Sequence, residues 1–244
     1  MLRLTTDHDA LFKELLTTYF SEFIALFFPR LSRHLERKSI VFLDKEIIDT
    51  GERREADLVA KARFRGKQAF FLVHIENQSR ADGQFPRRMF RYFSRLHEKH
   101  GLPVYPIVIF SYEQPKRREP EKYRVAFPDL KVLDFNFRVV QLNRLSWRHF
   151  LRRHNPVASA LMARMAIAPE DRPKVKAECL RLLATLHLDI RKARLISRFV
   201  DSYLNLNAQE NREFYQELDR IKKDRSKKEK VHGLRDKLGT RRNS

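Results

Sequence analysis

Asp57, Glu76 and Gln78 are the residues of this chain whose types and spacing could do chemistry. Asp57 lies early in one strand-like run, and Glu76 ends a second run 19 residues later. The polar turn at residues 65–67 joins the two runs, so a hairpin would bring Asp57 close to Glu76. Side chains alternate along a strand, which puts Glu76 and Gln78 on the same face. Two carboxylates and an amide that converge predict a site for a hard divalent cation such as Mg²⁺, with Mn²⁺ as a substitute.

A bound cation of this kind can activate water and stabilise a phosphoryl transition state. In that chemistry Asp57 and Glu76 would hold the cation, and Gln78 would orient the attacking water or a phosphate oxygen. Glutamine has no positive charge, so the transition-state charge must be met by the metal or by a nearby cation. Lys61 and Arg80 are candidates for that cation.

The pattern Asp57…Glu76-x-Gln78 resembles the PD-(D/E)XK nuclease superfamily, and within it the recombination-promoting nuclease (Rpn) or YhgA-like family, in which glutamine replaces the usual lysine. The N-terminal segment HDALFKELL at 8–16 is similar to the HDxxFKxLL opening of that family. The resemblance extends over about residues 7–142. One departure is Ala56, which stands where the superfamily has a proline.

This resemblance implies a mixed α/β fold, namely a restriction-endonuclease-like core with a mixed sheet flanked by helices, followed by an all-helical C-terminal region. It also implies a Mg²⁺-dependent DNA endonuclease linked to recombination or to the spread of mobile elements. Some superfamily members have a glutamate on the first helix that assists the metal, and Glu14 is the candidate here. His8 and Asp9 would lie near the site. An HD-type phosphohydrolase is disfavoured because the other histidines lack the spacing of its metal ligands.

The formal net charge of +20 predicts a polyanionic partner, most simply nucleic acid. We expect double-stranded DNA, and cleavage of both strands favours a homodimer because one active site cuts one strand at a time. The basic and aromatic residues expected to contact phosphates are Arg88, Arg91, Tyr92 and Arg95 on a helix, and Lys116, Arg117 and Arg118 in a loop. For the helical residues, a solvated polar face explains the pattern equally well.

Hydrophobic periodicity separates a mixed α/β region at 1–145 from a helical region at 146–221. The resemblance implies that the first region is the nuclease-like core. Residues 222–244 form a basic tail, for which disorder is favoured over a fraying charged helix. Within the core we expect a helix up to Phe28, a nearly continuously apolar central strand at 69–76, and a helix ending near Lys99. Residues 114–123 are expected to form a charged loop. The residues 130–142 are expected to contain the last strand or strands of the sheet.

The chain is expected to be cytoplasmic, in the bacterial cytosol and associated with the nucleoid. It has one cysteine, Cys179, which lies in an apolar helical pattern and predicts a small core residue and a reducing compartment. No apolar run is long enough to span a membrane, so no membrane partner is expected. The N-terminus lacks the apolar region of a signal peptide.

Other functions remain open from the sequence. A DNA-binding protein that keeps the fold without catalysis is favoured by Gln78 and by the missing proline. A toxin-like RNase is a second alternative, since basic charge does not distinguish RNA from DNA. A third is a scaffold whose C-terminal helices bind a protein. A strand-transferring transposase with three acids is less favoured, because no third acid has support comparable to Asp57 and Glu76.

Overall fold

The computed structural model describes residues 8–43, 47–49, 53–55 and 57–239, with side chains placed for 8–43 and 57–223. Ala56, which occupies the position of the superfamily proline, and residues 240–244 lie outside the described residues. The described chain is mixed α/β, with a central mixed sheet, flanking helices and a helical C-terminal region, which confirms the expected fold class. In this part of the chain, no helix combines the length and apolarity needed to cross a membrane.

The strands are β1 (Val41–Leu43), β2 (Ile47–Asp49), β3 (Arg53–Glu55), β4 (Leu58–Arg63), β5 (Phe70–Gln78), β6 (Val104–Phe110), β7 (Lys122–Ala126), β8 (Lys131–Asn136) and β9 (Arg138–Gln141). The central sheet has the order β1-β4-β5-β6-β9. The β1–β4 and β4–β5 pairs are antiparallel, whereas β5–β6 and β6–β9 are parallel. The expected central position of the third apolar run is therefore confirmed, because β5 has neighbours on both sides.

The helices are α1 (His8–Thr18), α2 (Phe20–Phe27), α3 (Pro29–His34), α4 (Phe85–His100), α5 (Pro156–Leu161), α6 (Arg172–Ala184), α7 (Ile190–Tyr203) and α8 (Ala208–Gly239). The single helix expected up to Phe28 is therefore two helices. Tyr19 leaves helical geometry between them, with φ −121° and ψ 35°. Its hydroxyl donates to the carbonyl of Lys192 at 3.0 Å, so a tertiary contact accompanies the break.

The sheet has helices on both faces. Val73 and Ile75 of β5 point into the main core, which they share with Phe12 of α1 and Phe199 of α7. Leu72 points to the opposite face and packs against α4. The alternation of β5 therefore sends His74, Glu76 and Gln78 toward α4.

α4 returns the chain from the end of β5 to the start of β6. Its first turn contains Pro86, at a position where a backbone N–H would have no acceptor within the helix. The helix ends at Gly101, whose φ of 60° lies in the left-handed region. Phe85 and Met89 pack against Val108 and Phe110 of β6. This parallel crossover brings the first turn of α4 next to the end of β5.

Two regions differ from the sequence predictions. Residues 122–126, expected to begin within a loop, form β7 and pair with β8 in a two-stranded ribbon. Phe135 of that ribbon packs on Phe90 of α4, so tertiary burial stabilises strands that the sequence pattern marks only weakly.

The tail is the second difference. α8 continues through residues 222–239, where a disordered tail was expected. The segment is rich in lysine, glutamate and arginine, all of which favour a helix, and this local preference explains the difference.

The C-terminal helices close the main core. Asn155 caps α5 by accepting hydrogen bonds from the amides of Val157 and Ala158 at 2.8 and 3.2 Å. Cys179 of α6 is fully buried, and burial raises the pKa of its thiol, so it is a core residue as expected. Val157, Cys179 and Phe199 lie in the same apolar cluster as Phe12 and Ile75, so the helical region and the sheet share one core.

Candidate active site

Asp57 and Glu76 meet at one end of the central sheet. The hairpin between β4 and β5 turns at Gly66, whose φ of 72° is readily adopted only by a residue without a side chain. The register pairs Leu58 with Ile75, so Asp57 stands beside Glu76. The Asp57 amide donates to Glu76 Oε1 at 3.1 Å, and the Asn77 amide donates to Asp57 Oδ2 at 2.7 Å. Backbone donors thus hold both carboxyl groups in place.

The surroundings disfavour a charged Asp57. Burial raises the pKa of its carboxyl to about 7, and the carboxylates of Glu76 and Asp9 act in the same direction. The Asn77 amide and Lys13 oppose this shift. Repulsion between carboxylates in a poorly solvated site is relieved when a cation binds between them.

The donor set fits Mg²⁺. This ion is held in proteins by one or two carboxylates and keeps several waters. Glu76 Oε2 and Asp57 Oδ1 make no hydrogen bond to any described residue, and Asn77 Oδ1 is buried without a partner. Among residues with placed side chains, no group of three or more His, Cys, Asp or Glu is arranged to hold a metal by itself. Two carboxylates and one amide oxygen would leave several coordination positions of such an ion to water.

His74 supports Glu76 from within the strand. It is fully buried, its Nε2 lies 2.7 Å from Glu76 Oε1, and its ring packs against Tyr92 with centroids 5.7 Å apart. The apolar run around His74 predicts a buried core histidine, and the burial is confirmed, but that run does not predict the contact with Glu76. The signal that could have found it is alternation, since His74, Glu76 and Gln78 share one face of β5.

Gln78 is held by an arginine from α4. Arg88 Nη2 donates to Gln78 Oε1 at 2.5 Å, and Arg88 Nη1 contacts Asp82. Asp82 also accepts the backbone N–H of Gln84 at 2.8 Å, just before α4 begins. A positive charge therefore lies beside Gln78. Arg80 also lines the cleft. Lys61 instead lies over the ring of Phe70, which is at the opposite end of β5 from Gln78.

The cleft at this end of the sheet has a volume of about 450 Å³ and is lined by Asp9, Asp57, Glu76, Asn77, Gln78, Ser79, Arg80, Asp82, Arg88 and Tyr92. Most of these residues were predicted from the sequence, but Ser79, Asp82 and the side chain of Asn77 were not. The role of Asp82 depends on the packing of α4, which no local pattern indicates.

The N-terminal helix contributes Asp9 to the cleft. Asn77 Nδ2 donates to Asp9 Oδ1 at 3.5 Å. Glu14, the expected accessory acid, instead lies on the outer side of α1 and forms an ion pair with Arg198 of α7. The ring of His8 packs against that of Tyr203 in a tilted arrangement, with centroids 4.8 Å apart. Asp9, and not Glu14, is therefore the acid that α1 places near Asp57.

The expected phosphate-binding residues of α4 divide into two groups. Arg91 and Arg95 are exposed, and Arg95 pairs with Glu98 at 3.3 Å. Arg88 is turned into the cleft. Tyr92 is 3% exposed and supports the cleft wall, which leaves it little surface for contact with DNA.

The basic residues of the loop are partly paired. Arg117 lies 3.6 Å from Glu119, and Arg118 lies 3.1 Å from Glu121. Lys116 borders a second cavity, of about 290 Å³, that is also lined by Arg164 and Tyr203. Because Tyr203 contacts His8 of α1, this second cavity lies on the same side of the molecule as the cleft.

A family model described as "Putative transposase, YhgA-like" matches residues 6–194. The chain belongs to this family. The match spans the whole central sheet and continues into α7, which agrees with the family resemblance of the N-terminal segment and of the Asp57…Gln78 pattern. No curated protein and no solved structure matches the chain.

Proposed function

We propose that the chain is a Mg²⁺-dependent DNA endonuclease of the recombination-promoting, transposase-like kind, which hydrolyses phosphodiester bonds. The observation that supports this best is the pair of carboxylates, Asp57 and Glu76, fixed by backbone amides at the open end of the sheet. Burial and the neighbouring Glu76 raise the pKa of the Asp57 carboxyl to about 7, and carboxyl groups with strongly shifted pKa values are common at functional sites. Membership in a family of putative transposases agrees with chemistry on DNA.

In this proposal Asp57 and Glu76 hold Mg²⁺, and Mn²⁺ can replace it. When bound, the ion would lower the pKa of a water and offset charge on the phosphate. His74 donates to Glu76 and fixes the direction of its carboxylate. Gln78 orients the water or a phosphate oxygen by hydrogen bonding.

Arg88 supplies the positive charge that glutamine lacks. Its guanidinium already contacts Gln78 and Asp82, so its position is determined before substrate binds. A planar guanidinium can bind two phosphate oxygens at once, which suits stabilisation of a phosphorane-like transition state. Arg88 is therefore proposed as a catalytic residue as well as a phosphate contact.

The substrate in this proposal is double-stranded DNA. The net charge of +20 favours a polyanion. Arg91 and Arg95 are exposed on α4, the helix that brings Arg88 into the cleft, and Lys116 borders the second cavity. Cutting both strands would require two sites, so a homodimer is part of the proposal.

The test is nicking and linearisation of supercoiled plasmid with Mg²⁺. We compare the wild type with Asp57→Ala and Glu76→Ala, each with an EDTA control, and measure binding to the same DNA in EDTA. Asp129→Ala is the matched control, because Asp129 is an exposed acid in the turn of the β7–β8 ribbon. We expect both site variants to lose at least about 100-fold in rate and the control to cut normally.

Each rival function has its own outcome. Folded wild type that binds plasmid but does not cut it with Mg²⁺ or Mn²⁺ would indicate a non-catalytic DNA-binding protein. Cutting of RNA and not of DNA would indicate an RNase. Cutting that survives both Asp57→Ala and Glu76→Ala would mean that the active site is elsewhere.

A further inference from the structure

The solvent-facing side of α7 bears a row of arginines. Arg191, Arg194 and Arg198 are all exposed, and their spacing of three and four residues places them on one side of the helix. The row spans about 10 Å along the helix axis. Arg198 pairs with Glu14, whereas Arg191 and Arg194 form no ion pair with any residue whose side chain is placed. Most of the charge of the row is thus available to a partner.

α7 runs antiparallel to α1 and reaches the cleft with its C-terminal end. Tyr203 contacts the ring of His8, and the carbonyl of Lys192 accepts the hydroxyl of Tyr19 at the other end of α1. Asp9, next to His8, lines the cleft. The arginine row therefore begins about one turn from the cleft and leads away from it.

Lys13 connects the row to the cleft. Its side chain is exposed, and it lies one helical turn after Asp9, the residue of α1 that lines the cleft. The next residue, Glu14, contacts Arg198 at the near end of the row. Lys13 of α1 and the arginines of α7 thus lie between the cleft and the first turn of α7.

We propose that Lys13 and the arginine row of α7 bind the sugar-phosphate backbone of double-stranded DNA next to the cleft. The choice of DNA rests on the proposed function. Phosphates of one strand advance about 3.4 Å per step along the duplex axis, so a row of about 10 Å spans about three of them. Side chains on a rigid helix that contact only phosphates position the duplex without reading its sequence.

The experiment measures binding of a labelled short duplex by fluorescence anisotropy in EDTA, between about 50 and 200 mM KCl. The row variant is the full chain with Arg191→Ala, Arg194→Ala and Arg198→Ala. We expect the affinity for the duplex to be about 10- to 100-fold weaker than that of the wild type at about 0.1 M salt. The slope of the logarithm of the association constant against the logarithm of the salt concentration should decrease in magnitude by about 2 to 3. The corresponding triple lysine variant keeps the charge and should bind nearly as the wild type does.

The matched control removes three exposed arginines elsewhere, with Arg30→Ala, Arg33→Ala and Arg37→Ala. These residues lie in or near α3, which follows Phe28, and Phe28 packs on Tyr105 at the start of β6, away from the cleft. Both triple variants have the same net charge, so a general loss of charge would weaken them equally. Thermal unfolding of each variant verifies that it is folded.

The outcomes separate this proposal from the nuclease proposal. A row variant that binds like the wild type, or that is weakened no more than the control, overturns the arginine row even if the wild type cuts DNA. Equal losses in the alanine and lysine triple variants also overturn it, because charge would then not be the cause. Loss confined to RNA binding overturns the choice of DNA. A row-specific loss of DNA binding supports the row even if the wild type cuts nothing.

Discussion

At the scale of single residues, the raised pKa of the Asp57 carboxyl links the stability of the fold to pH and, in the proposed function, to metal binding. Its carboxyl is buried beside Glu76, and each of the two carboxyl groups accepts a hydrogen bond from a backbone amide. The folded protein therefore binds a proton at Asp57 in a pH range where the unfolded chain has already released it. A cation in the cleft would replace that proton.

We predict that Asp57→Asn changes the pH dependence of stability in EDTA. The pKa of the Asp57 carboxyl is raised from 3.8 to about 7, so its contribution is present at low pH and is lost as pH rises toward and through 7. Urea unfolding at about pH 5 and about pH 8 measures this change. From the lower to the higher pH, the free energy of unfolding of the wild type should fall by up to a few kcal/mol relative to that of the variant. Mg²⁺ should stabilise only the wild type at the higher pH. Parallel pH profiles for the two proteins would contradict this account.

The contact between Arg88 and Gln78 gives a second prediction at this scale. Arg88→Lys keeps the positive charge but loses the planar fork that spans Gln78 and Asp82. We expect kcat to fall about 100-fold with little change in the Kd for DNA. The measurements are single-turnover cleavage and binding in EDTA. Arg87→Lys, an exposed neighbour, is the control, and equal effects of the two substitutions would remove Arg88 from catalysis.

At the scale of elements, the position of the site depends on three packed units: the β4–β5 hairpin, α4 on one face of the sheet, and α1 with α7 on the other. Phe12 of α1 and Phe199 of α7 meet with ring centroids 5.1 Å apart, and both are fully buried. This contact holds Asp9 near the cleft, since Asp9 lies on α1 within one turn of Phe12.

Phe199→Ala should therefore destabilise the protein by about 3–5 kcal/mol, because it leaves a cavity between α1 and α7. Chemical unfolding measures this change directly. Ile190→Ala on the same helix is the control, and it should cost less than about 0.5 kcal/mol because Ile190 is 66% exposed. Similar losses in the two variants would mean that the interface between α1 and α7 contributes little.

At the scale of the whole molecule, the excess of 51 basic over 31 acidic residues is distributed over both the sheet region and the C-terminal helices. The shared core makes these regions cooperate physically, because Val157 and Phe199 bury the same cluster as Ile75. The division at residue 145 stays a prediction about sequence regions. If the arginine row binds DNA, the helical region forms part of the substrate-binding surface.

Much of the candidate site could be predicted because it depends on local geometry. Alternation along β5 puts Glu76 and Gln78 on one face, and a hairpin closed at Gly66 puts Asp57 beside Glu76. Both effects act within the continuous segment of 22 residues from Asp57 to Gln78. The same alternation places His74 on the face of Glu76. Its contact with Glu76 was not predicted, because the apolar residues on either side of His74 in the sequence indicate only that it is buried.

By itself, the sequence determined the fold class, the family, the central strand and the convergence of Asp57 with Glu76. Tertiary structure alone decided that Arg88 contacts Gln78, that Asp9 enters the cleft, and that Glu14 pairs with Arg198 at a separation of 184 residues. The physical reason is range. Strand period and turn geometry act between neighbours in the chain, whereas the placement of α1, α4 and α7 results from many weak apolar contacts summed over the whole core.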